Sequence, residues 1–201
     1  MTNTVYLISG ANRGIGRGVV EVLLSRPNTT VIAAVRNPDA AASQSLNSIT
    51  PGTSSHLIIY NISHLDVVIA NAGISNDYSP VHSVSPDVVR EHVDVNFYGP
   101  LHLFQAAYPL LKKSSRPIFV GVGSAMGTIG GMDQRPFPNA AYGPSKAMLH
   151  WMVRKIHFEN EDFISFISDP GLQGMIRTID GATRESVGGQ WCVWDGSHFP
   201  W

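Results

Sequence analysis

The sequence is poor in cysteine and has no histidine cluster. Cys192 is the single cysteine among 201 residues, so the chain forms no internal disulfide and no cysteine-based metal centre. None of the eight histidines is part of a His-x-x-x-His pair or a histidine–carboxylate ligand set. No metal site is therefore predicted, and the expected compartment is reducing and cytoplasmic.

Charge and long apolar runs are also scarce. The chain has 14 Lys and Arg against 15 Asp and Glu, which leaves no basic field for a nucleic-acid partner. No run approaches the roughly 18 apolar residues of a membrane span, and no signal peptide is visible, so no membrane partner is expected. With 43% hydrophobic residues, the composition predicts one globular domain over residues 1–201.

Apolar runs typical of buried strands alternate with segments of helical spacing. Helices are predicted over residues 13–26, 86–113 and 141–159. Because the strands are almost continuously apolar, the pattern predicts an α/β fold with a doubly wound, mostly parallel sheet covered on both faces. The predicted strands are residues 5–9, 29–35, 67–70, 117–122, 163–168 and 190–194.

A glycine-rich loop joins the first strand to the first helix, with the spacing G-x-x-x-G-x-G. Glycines let the backbone approach a pyrophosphate, and the helix N-terminus presents free N–H groups and partial positive charge. The alternative is a glycine-rich connection that holds no ligand. The predicted cofactor-binding residues of this loop are Gly10, Asn12, Arg13, Gly14, Ile15 and Gly16.

Arg36 follows the second strand, where an acidic residue would bind a ribose 2′-hydroxyl. Arg13 lies in the glycine loop on the same side. Two guanidinium groups suit a 2′-phosphate, which favours NADP(H) over NAD(H) as the cofactor. The alternative is a pair of solvated surface arginines.

Tyr142 and Lys146 are spaced to share one face of a helix, and Ser124 follows a predicted strand at the ligand-binding edge of the sheet. A lysine ammonium one turn away is expected to lower the pKa of the tyrosine, which could then protonate a carbonyl oxygen that Ser124 holds. Taken alone, a Tyr-x-x-x-Lys spacing is common and is usually structural.

Asn96 precedes Pro100 by four residues. Since proline has no N–H, the Asn96 carbonyl loses its helical partner, and a kink is predicted there. The freed carbonyl could hold a water that relays protons toward Lys146; the alternative is an ordinary proline kink.

These motifs occur in the order seen in short-chain dehydrogenases/reductases, which the chain resembles over nearly its whole length. The resemblance implies a Rossmann fold, NADPH and reduction of a ketone. It implies a catalytic tetrad of Asn96, Ser124, Tyr142 and Lys146, with Tyr142 and Lys146 also at the cofactor. Cofactor contacts are further implied for Asn71, Ala72, Gly73, Pro170 and Gly171.

Three segments, HLDVVIANAGIS, MVRKIHFEN and WDGSHFPW, resemble fungal ketoreductases of the norsolorinic acid ketoreductase type, from polyketide pathways. That likeness implies a hydrophobic ketone or alcohol substrate. Analogy with the family implies a homodimer or homotetramer that pairs through the long helices. Residues 125–141, between Ser124 and Tyr142, are expected to border the substrate pocket.

Two pieces of the family pattern look absent. Residues 57–60 resemble the third strand and residues 67–70 the fourth, yet only about six residues separate them, where a parallel crossover needs about a dozen. We predict that the third strand is lost, displaced or reduced, or that residues 37–65 form an irregular crossover. Asn61 stands where the family commonly has Asp near the adenine.

The second missing piece is the substrate lid. Residues 172–176, directly after Pro170-Gly171, already resemble the later helix, so the lid is predicted to be lost or reduced. Two hypotheses follow: an NADPH-dependent ketoreductase, and a truncated, inactive relative that only binds nucleotide or a partner. The intact tetrad favours the first, and the missing segments favour the second.

Overall fold

The structure is a computed structural model that describes residues 3–57 and 63–201. Its strands join in one sheet with the order β3-β2-β1-β4-β5-β6-β7, and every pair of neighbouring strands is parallel. The predicted doubly wound, Rossmann-like fold is confirmed, and ligands of such folds bind where the strand order reverses, here between β1 and β4. The strands are β1 (Thr4–Ser9), β2 (Thr29–Ala34), β3 (His56–Leu57), β4 (Val67–Ala70), β5 (Ile118–Val122), β6 (Ile164–Ser168) and β7 (Trp191–Cys192).

Helices cover both faces of the sheet because successive strand side chains point to opposite sides. Val120 and Phe166 pack with α1 and α6 on one face, whereas Phe119 and Ile167 pack with α4 and α5 on the other. None of the described helices is long and apolar enough to cross a membrane. The helices are α1 (Gly14–Leu24), α2 (Ala41–Gln44), α3 (Pro86–Val93), α4 (Gly99–Leu111), α5 (Tyr142–Glu159), α6 (Leu172–Gly181) and α7 (Arg184–Val187).

The third strand is present at the sheet edge, so the expectation that it is lost is wrong. His56 pairs with Thr30 and Leu57 with Val31, so the described part of the strand lies beside β2 and is not displaced. The preceding stretch holds the short helix α2 and a 3-10 turn over Ser45–Ser48. The alternative prediction, a single irregular crossover over residues 37–65, is wrong because β3 interrupts this range. Residues 58–60 of the predicted strand, together with Asn61, lie outside the described residues.

The prediction of a reduced lid is also confirmed. Strand β6 ends at Ser168, and helix α6 begins at Leu172, directly after Gly171. Helix α6 buries Met175, Ile176 and Ile179 against the sheet, so it serves as a covering helix of the fold. No chain is left between Gly171 and this helix to fold over a substrate.

The long helix predicted over residues 86–113 is two helices joined by a π turn at Asp94–Tyr98. In this turn the Gly99 N–H donates to the carbonyl of Asp94, five residues back. Pro100 has no N–H to donate, and the π turn accommodates this by shifting the register of the backbone hydrogen bonds by one residue. The structure therefore has a register shift where a simple kink was predicted. The turn also places the Asn96 side chain in the interior, where it is fully buried.

Candidate active site

The glycine loop forms a tight cradle at the carboxyl end of β1. Gly10 and Gly14 have φ values of +66° and +56°, in the left-handed region that favours glycine. A Cβ on Gly16 would lie 2.4 Å from the Gly10 carbonyl oxygen, whereas one on Gly14 would meet nothing within 4 Å. The loop is thus closely packed at Gly16 and open at Gly14, next to the N-terminus of α1.

Residues Asn71, Ala72 and Gly73 are tied to the end of β1. The Ser9 hydroxyl accepts hydrogen bonds from the N–H groups of Asn71 and Ala72, both at 3.1 Å. The Asn71 amide donates to the Ser9 carbonyl at 3.0 Å and to the Gly10 carbonyl at 3.3 Å. These bonds fix the crevice between β1 and β4, the switch point of the sheet.

Arg13 and Arg36 are both exposed, on the side of the cradle that β2 occupies. Neither forms an ion pair with a residue in 3–57 or 63–201, so both guanidinium groups are available to an anion. Asn12 donates to the Ser43 hydroxyl at 3.2 Å, and that hydroxyl donates to the Asn37 carbonyl at 2.6 Å. The glycine loop is thereby joined to the segment after β2, while half-buried Ile15 packs against the core.

Asn96 is the centre of a buried polar network. Its carbonyl oxygen accepts from the Ile74 N–H at 2.8 Å, and its amide donates to the Ile74 carbonyl at 3.0 Å. The same amide donates to the Ser145 hydroxyl at 2.9 Å, and that hydroxyl donates to the Tyr142 carbonyl at 2.7 Å. Asn96 therefore connects the turn after β4 to the first turn of α5, which carries the tyrosine.

Lys146 lies beneath this network. Its ammonium donates to the Val122 carbonyl at 2.8 Å, and burial lowers its pKa to about 8. A Cβ on Gly73 would lie 3.0 Å from the Asn96 Oδ1 and 3.5 Å from the Lys146 Nζ, so both polar groups reach the same point. Glycine at position 73 leaves room for that approach.

The side chains of Tyr142 and Ser124 lie close together at the carboxyl end of β5. The Ser124 hydroxyl accepts a hydrogen bond from the Met126 N–H at 3.3 Å, which orients it. Burial raises the pKa of Tyr142, the Ser124 hydroxyl lowers it, and Tyr78 and Asp169 raise it further. The tyrosine is consequently a protonated phenol at neutral pH.

The expectation that Lys146 lowers the pKa of Tyr142 is wrong for this structure. The Lys146 Nζ lies 5.7 Å from the centre of the tyrosine ring and is held by the Val122 carbonyl. Burial meanwhile removes the water that would stabilise a phenolate, and this effect decides the direction of the shift.

His150 is a site residue that sequence analysis missed. Its Nε2 accepts from the Ser124 N–H at 3.3 Å, and a Cβ on Gly123 would lie 2.7 Å from the same nitrogen. Burial, together with the charge of Lys146, lowers the pKa of His150 to about 3, so the ring is neutral and can accept. The signal was available: His150 continues the four-residue spacing of Tyr142 and Lys146 along one face of α5.

Pro170 and Gly171 follow β6 at the same edge of the sheet. A Cβ on Gly171 would lie 3.2 Å from the Cβ of Trp194, so the tryptophan backs this turn. Asp169, the preceding residue, has a pKa that burial raises and the charge of Arg135 lowers. Within residues 3–57 and 63–201, no group of three or more His, Cys, Asp or Glu side chains could hold a metal ion.

An apolar cavity of about 620 Å³ lies next to the first turn of α5, where Gly143 and Pro144 line it. Residues 125–129 form one of its walls and residues 135–140 another, and Gly143 and Pro144 close it next to Tyr142. Three large apolar side chains on its rim are mostly exposed: Ile129, Met132 and Phe137. The cavity is formed by the segment between Ser124 and Tyr142, where a substrate pocket was predicted.

The cradle fits a dinucleotide. The N-terminus of α1 receives no side-chain cap and has no acidic residue in its first turn, so its N–H groups and partial positive charge are free for a phosphate. Space above Gly14 and the two exposed arginines complete an anion-binding edge. The fold and the cradle are those expected of a dinucleotide-binding α/β protein, and Ser124, Tyr142 and Lys146 lie at the same edge of its sheet.

The sequence pattern of the short chain dehydrogenase family matches residues 4–166, and the chain belongs to that family of oxidoreductases. It is 36% identical to the norsolorinic acid ketoreductase of Dothistroma septosporum over 249 aligned positions, covering 98% of this chain and 92% of that protein. It is 34% identical to the norsolorinic acid ketoreductase of Aspergillus parasiticus, covering 98% and 91%. Because these alignments exceed 201 residues, parts of both relatives have no counterpart here.

Among solved structures, an NADPH-bound carbonyl reductase from chicken fatty liver superposes with a TM-score of 0.86 at 21% identity, covering all of both chains. The carbonyl reductase Sniffer of D. melanogaster superposes with a TM-score of 0.86 at 20% identity, again covering all of both chains. At these identities the likeness establishes the fold.

Proposed function

We propose that the protein is an NADPH-dependent ketoreductase that reduces a carbonyl of a hydrophobic substrate of polyketide type. The observation that carries this proposal is the approach of Ser124, Tyr142 and the buried Lys146 to one another at the carboxyl end of β5, with an apolar cavity next to the first turn of α5. A nicotinamide coenzyme bound at the glycine cradle would supply the hydride. Asn96, Ser124, Tyr142 and Lys146 are proposed as the catalytic residues.

Tyr142 is the proton donor in this proposal. Burial keeps its phenol protonated at neutral pH, which is the form needed to give a proton to a carbonyl oxygen as hydride arrives at the carbon. Ser124 holds the same oxygen. Lys146, with its pKa lowered to about 8, lies close enough to Asn96 and Gly73 to return a proton to the site.

The choice of NADPH is supported by the free guanidinium groups of Arg13 and Arg36 and by the absence of an acidic residue at position 36. The carbonyl reductase from chicken fatty liver is itself described as NADPH-bound. The remaining cofactor contacts proposed here are those of the glycine loop, Asn71–Gly73 and Pro170-Gly171. The cytoplasm is proposed as the compartment because the single cysteine, Cys192, forms no internal disulfide.

The substrate class is supported by the apolar cavity and by the names of the relatives, two of which are norsolorinic acid ketoreductases. The missing lid favours a second candidate, an inactive relative that only binds nucleotide, because an open site admits water and positions substrate less firmly.

Two measurements in sequence separate these candidates. NADPH is first titrated against the chain by thermal shift, and its oxidation is then followed with an aromatic ketone, acetonaphthone. A stabilised chain that oxidises NADPH only when the ketone is present supports the ketoreductase. Stabilisation without ketone-dependent oxidation would favour the inactive relative.

A further inference from the structure

Beyond β7 the chain reverses and returns along the same strand. The Asp195 carboxylate accepts from the N–H and the hydroxyl of Ser197 at 2.9 and 2.6 Å, and Gly196 has a φ of +91°. After this turn the Phe199 N–H donates to the Trp191 carbonyl at 2.9 Å. The returning segment therefore lies antiparallel to β7 and covers its edge.

Aromatic contacts fix this segment in place. The ring of Phe199 stacks on buried Trp191 with centroids 4.9 Å apart, and the centroid of Trp201 lies 6.2 Å from that of Trp191. The guanidinium of Arg154, on α5, lies 4.7 Å from the Trp201 centroid. Stacked rings and a cation over a ring attract each other, so these contacts anchor residues 199–201 to the body of the fold.

The same three residues bind the segment that forms the cavity rim. The Gly130 N–H donates to the Trp201 carbonyl at 3.2 Å, and the Thr128 hydroxyl donates to the Pro200 carbonyl at 3.4 Å. The guanidinium of Arg135 lies 4.9 Å from the Phe199 ring centroid. Residues 128–135, which we term the rim segment, are thus held at their beginning and at their end.

The other hydrogen bonds of the rim segment are local, such as the one from the Gly131 N–H to the Thr128 hydroxyl at 3.0 Å. Apart from one 3-10 turn over Met132–Gln134, it contains no helix or strand, and Ile129 and Met132 are 73% and 61% exposed. Exposed apolar side chains on an irregular segment tend to collapse into a neighbouring apolar cavity, since that removes them from water. The contacts with residues 199–201 oppose this collapse.

We propose that residues 199–201 act as a clasp that holds the rim segment open and so sets the selectivity of the cavity for bulky, fused-ring ketones. The clasp is a specificity-determining element, because it touches the cavity wall and not the reacting atoms. Its effect on substrate choice rests on the proposed ketoreductase function, whereas its effect on the rim segment does not.

Amide hydrogen exchange tests the holding step with a matched pair of added methyl groups. A Cβ on Gly130 would lie 2.9 Å from the Trp201 carbonyl oxygen, whereas a Cβ on Gly181 would meet nothing within 4 Å. Gly130→Ala should therefore speed exchange in the rim segment by about tenfold, the effect of one lost hydrogen bond, and Gly181→Ala should not. Exchange in β6 should stay unchanged in both variants. Equal rim exchange in the two variants would overturn the clasp.

Equilibrium binding of two ketones to the coenzyme-free chain tests selectivity without turnover. We expect Gly130→Ala and Trp201→Ala to raise the Kd of acetonaphthone about tenfold while the Kd of cyclohexanone changes less than about twofold. Trp151→Ala, which removes an exposed tryptophan elsewhere on α5, is the control. Equal losses for both ketones, no loss, or no binding of acetonaphthone to the native chain would overturn the selectivity.

Failure of the proposed function gives a different result. A chain that binds acetonaphthone and shows the clasp-dependent exchange, yet never oxidises NADPH with a ketone, would contradict the ketoreductase and support the clasp.

Discussion

The two sides of the sheet's ligand-binding edge are built differently. On the reaction side, β4, β5 and β6 are completely buried, and the polar groups of Asn96, Ser145 and Lys146 are buried with hydrogen-bond partners. On the adenosine side, β2 is half-buried toward its end, β3 has two described residues, and Arg36 is exposed.

This difference shows which elements of the fold the proposed reaction centre depends on. Strand β3 pairs with β2 alone, and no described side chain of the reaction side depends on it. The reaction centre instead draws on β5, the π turn, α5 and the turn after β4, so losing any one of them would leave buried polar groups unpaired.

The largest expected effect is on the reaction side. Tyr142→Phe removes the proton donor while keeping the ring, so kcat for ketone reduction should fall about a thousandfold, whereas the Kd for NADPH should change little. Steady-state kinetics and calorimetry measure the two quantities. Tyr108→Phe, which removes a phenol on α4, is the control. A Tyr142→Phe enzyme with native kcat would remove the basis of the proposed chemistry.

Asn96→Leu should have the next largest effect, a loss of folding stability. The change leaves the Ile74 N–H and carbonyl and the Ser145 hydroxyl without their partner, so the free energy of unfolding should drop by about 3 kcal/mol in urea denaturation. Asn47→Leu, at an exposed position, controls for loss of the amide. If both variants have the same free energy of unfolding, the buried network does not distinguish the stability of the reaction side from that of the adenosine side.

His150 should make the reaction side sensitive to acid. Its pKa is about 3 in the folded chain against 6.5 in the unfolded chain, so the unfolded chain binds more protons in between and stability falls as the pH drops below 6.5. By about pH 5 the native chain should lose about 2 kcal/mol more than His150→Gln, which keeps an acceptor but does not titrate.

Urea denaturation across this pH range measures the loss. His102→Gln, at an exposed position of α4, controls for removal of an imidazole. Parallel pH curves for the native chain and His150→Gln would show that the Ser124 N–H does not depend on a neutral histidine.

The smallest effect should lie on the adenosine side. Arg36→Ala should reduce the preference for NADPH over NADH by about tenfold, because an exposed guanidinium contributes one charge-assisted bond to a 2′-phosphate. Ratios of kcat/KM for the two coenzymes measure it. Arg90→Ala, on α3, provides a matched loss of an exposed arginine. An unchanged coenzyme preference would mean that Arg36 is a solvated surface residue.

Much of the fold was predictable because its signals are local. The strands, α1 and α5 follow from apolar periodicity, and the loss of the lid follows from the short distance between Gly171 and helix α6. The π turn could not be predicted from the sequence, because Pro100 shows only that one helical hydrogen bond is missing. The register of the hydrogen bonds around it also depends on the contacts of Asn96 with Ile74 and Ser145.

The candidate site divides in the same way. Strand order and helical spacing were enough to predict that Ser124, Tyr142 and Lys146 lie at one edge of the sheet. It could not predict that burial raises the pKa of Tyr142, because burial is a property of the packed fold. The contact from His150 to Ser124 also needed the three-dimensional approach of α5 to β5.

The most direct test of the central claim is the transfer of a deuterium label from the nicotinamide of NADPH to acetonaphthone. The account predicts that NMR finds deuterium on the carbinol carbon of the alcohol with the native chain, and finds none above background with Tyr142→Phe. An unlabelled product, or no alcohol from a chain that binds both NADPH and the ketone, would contradict it.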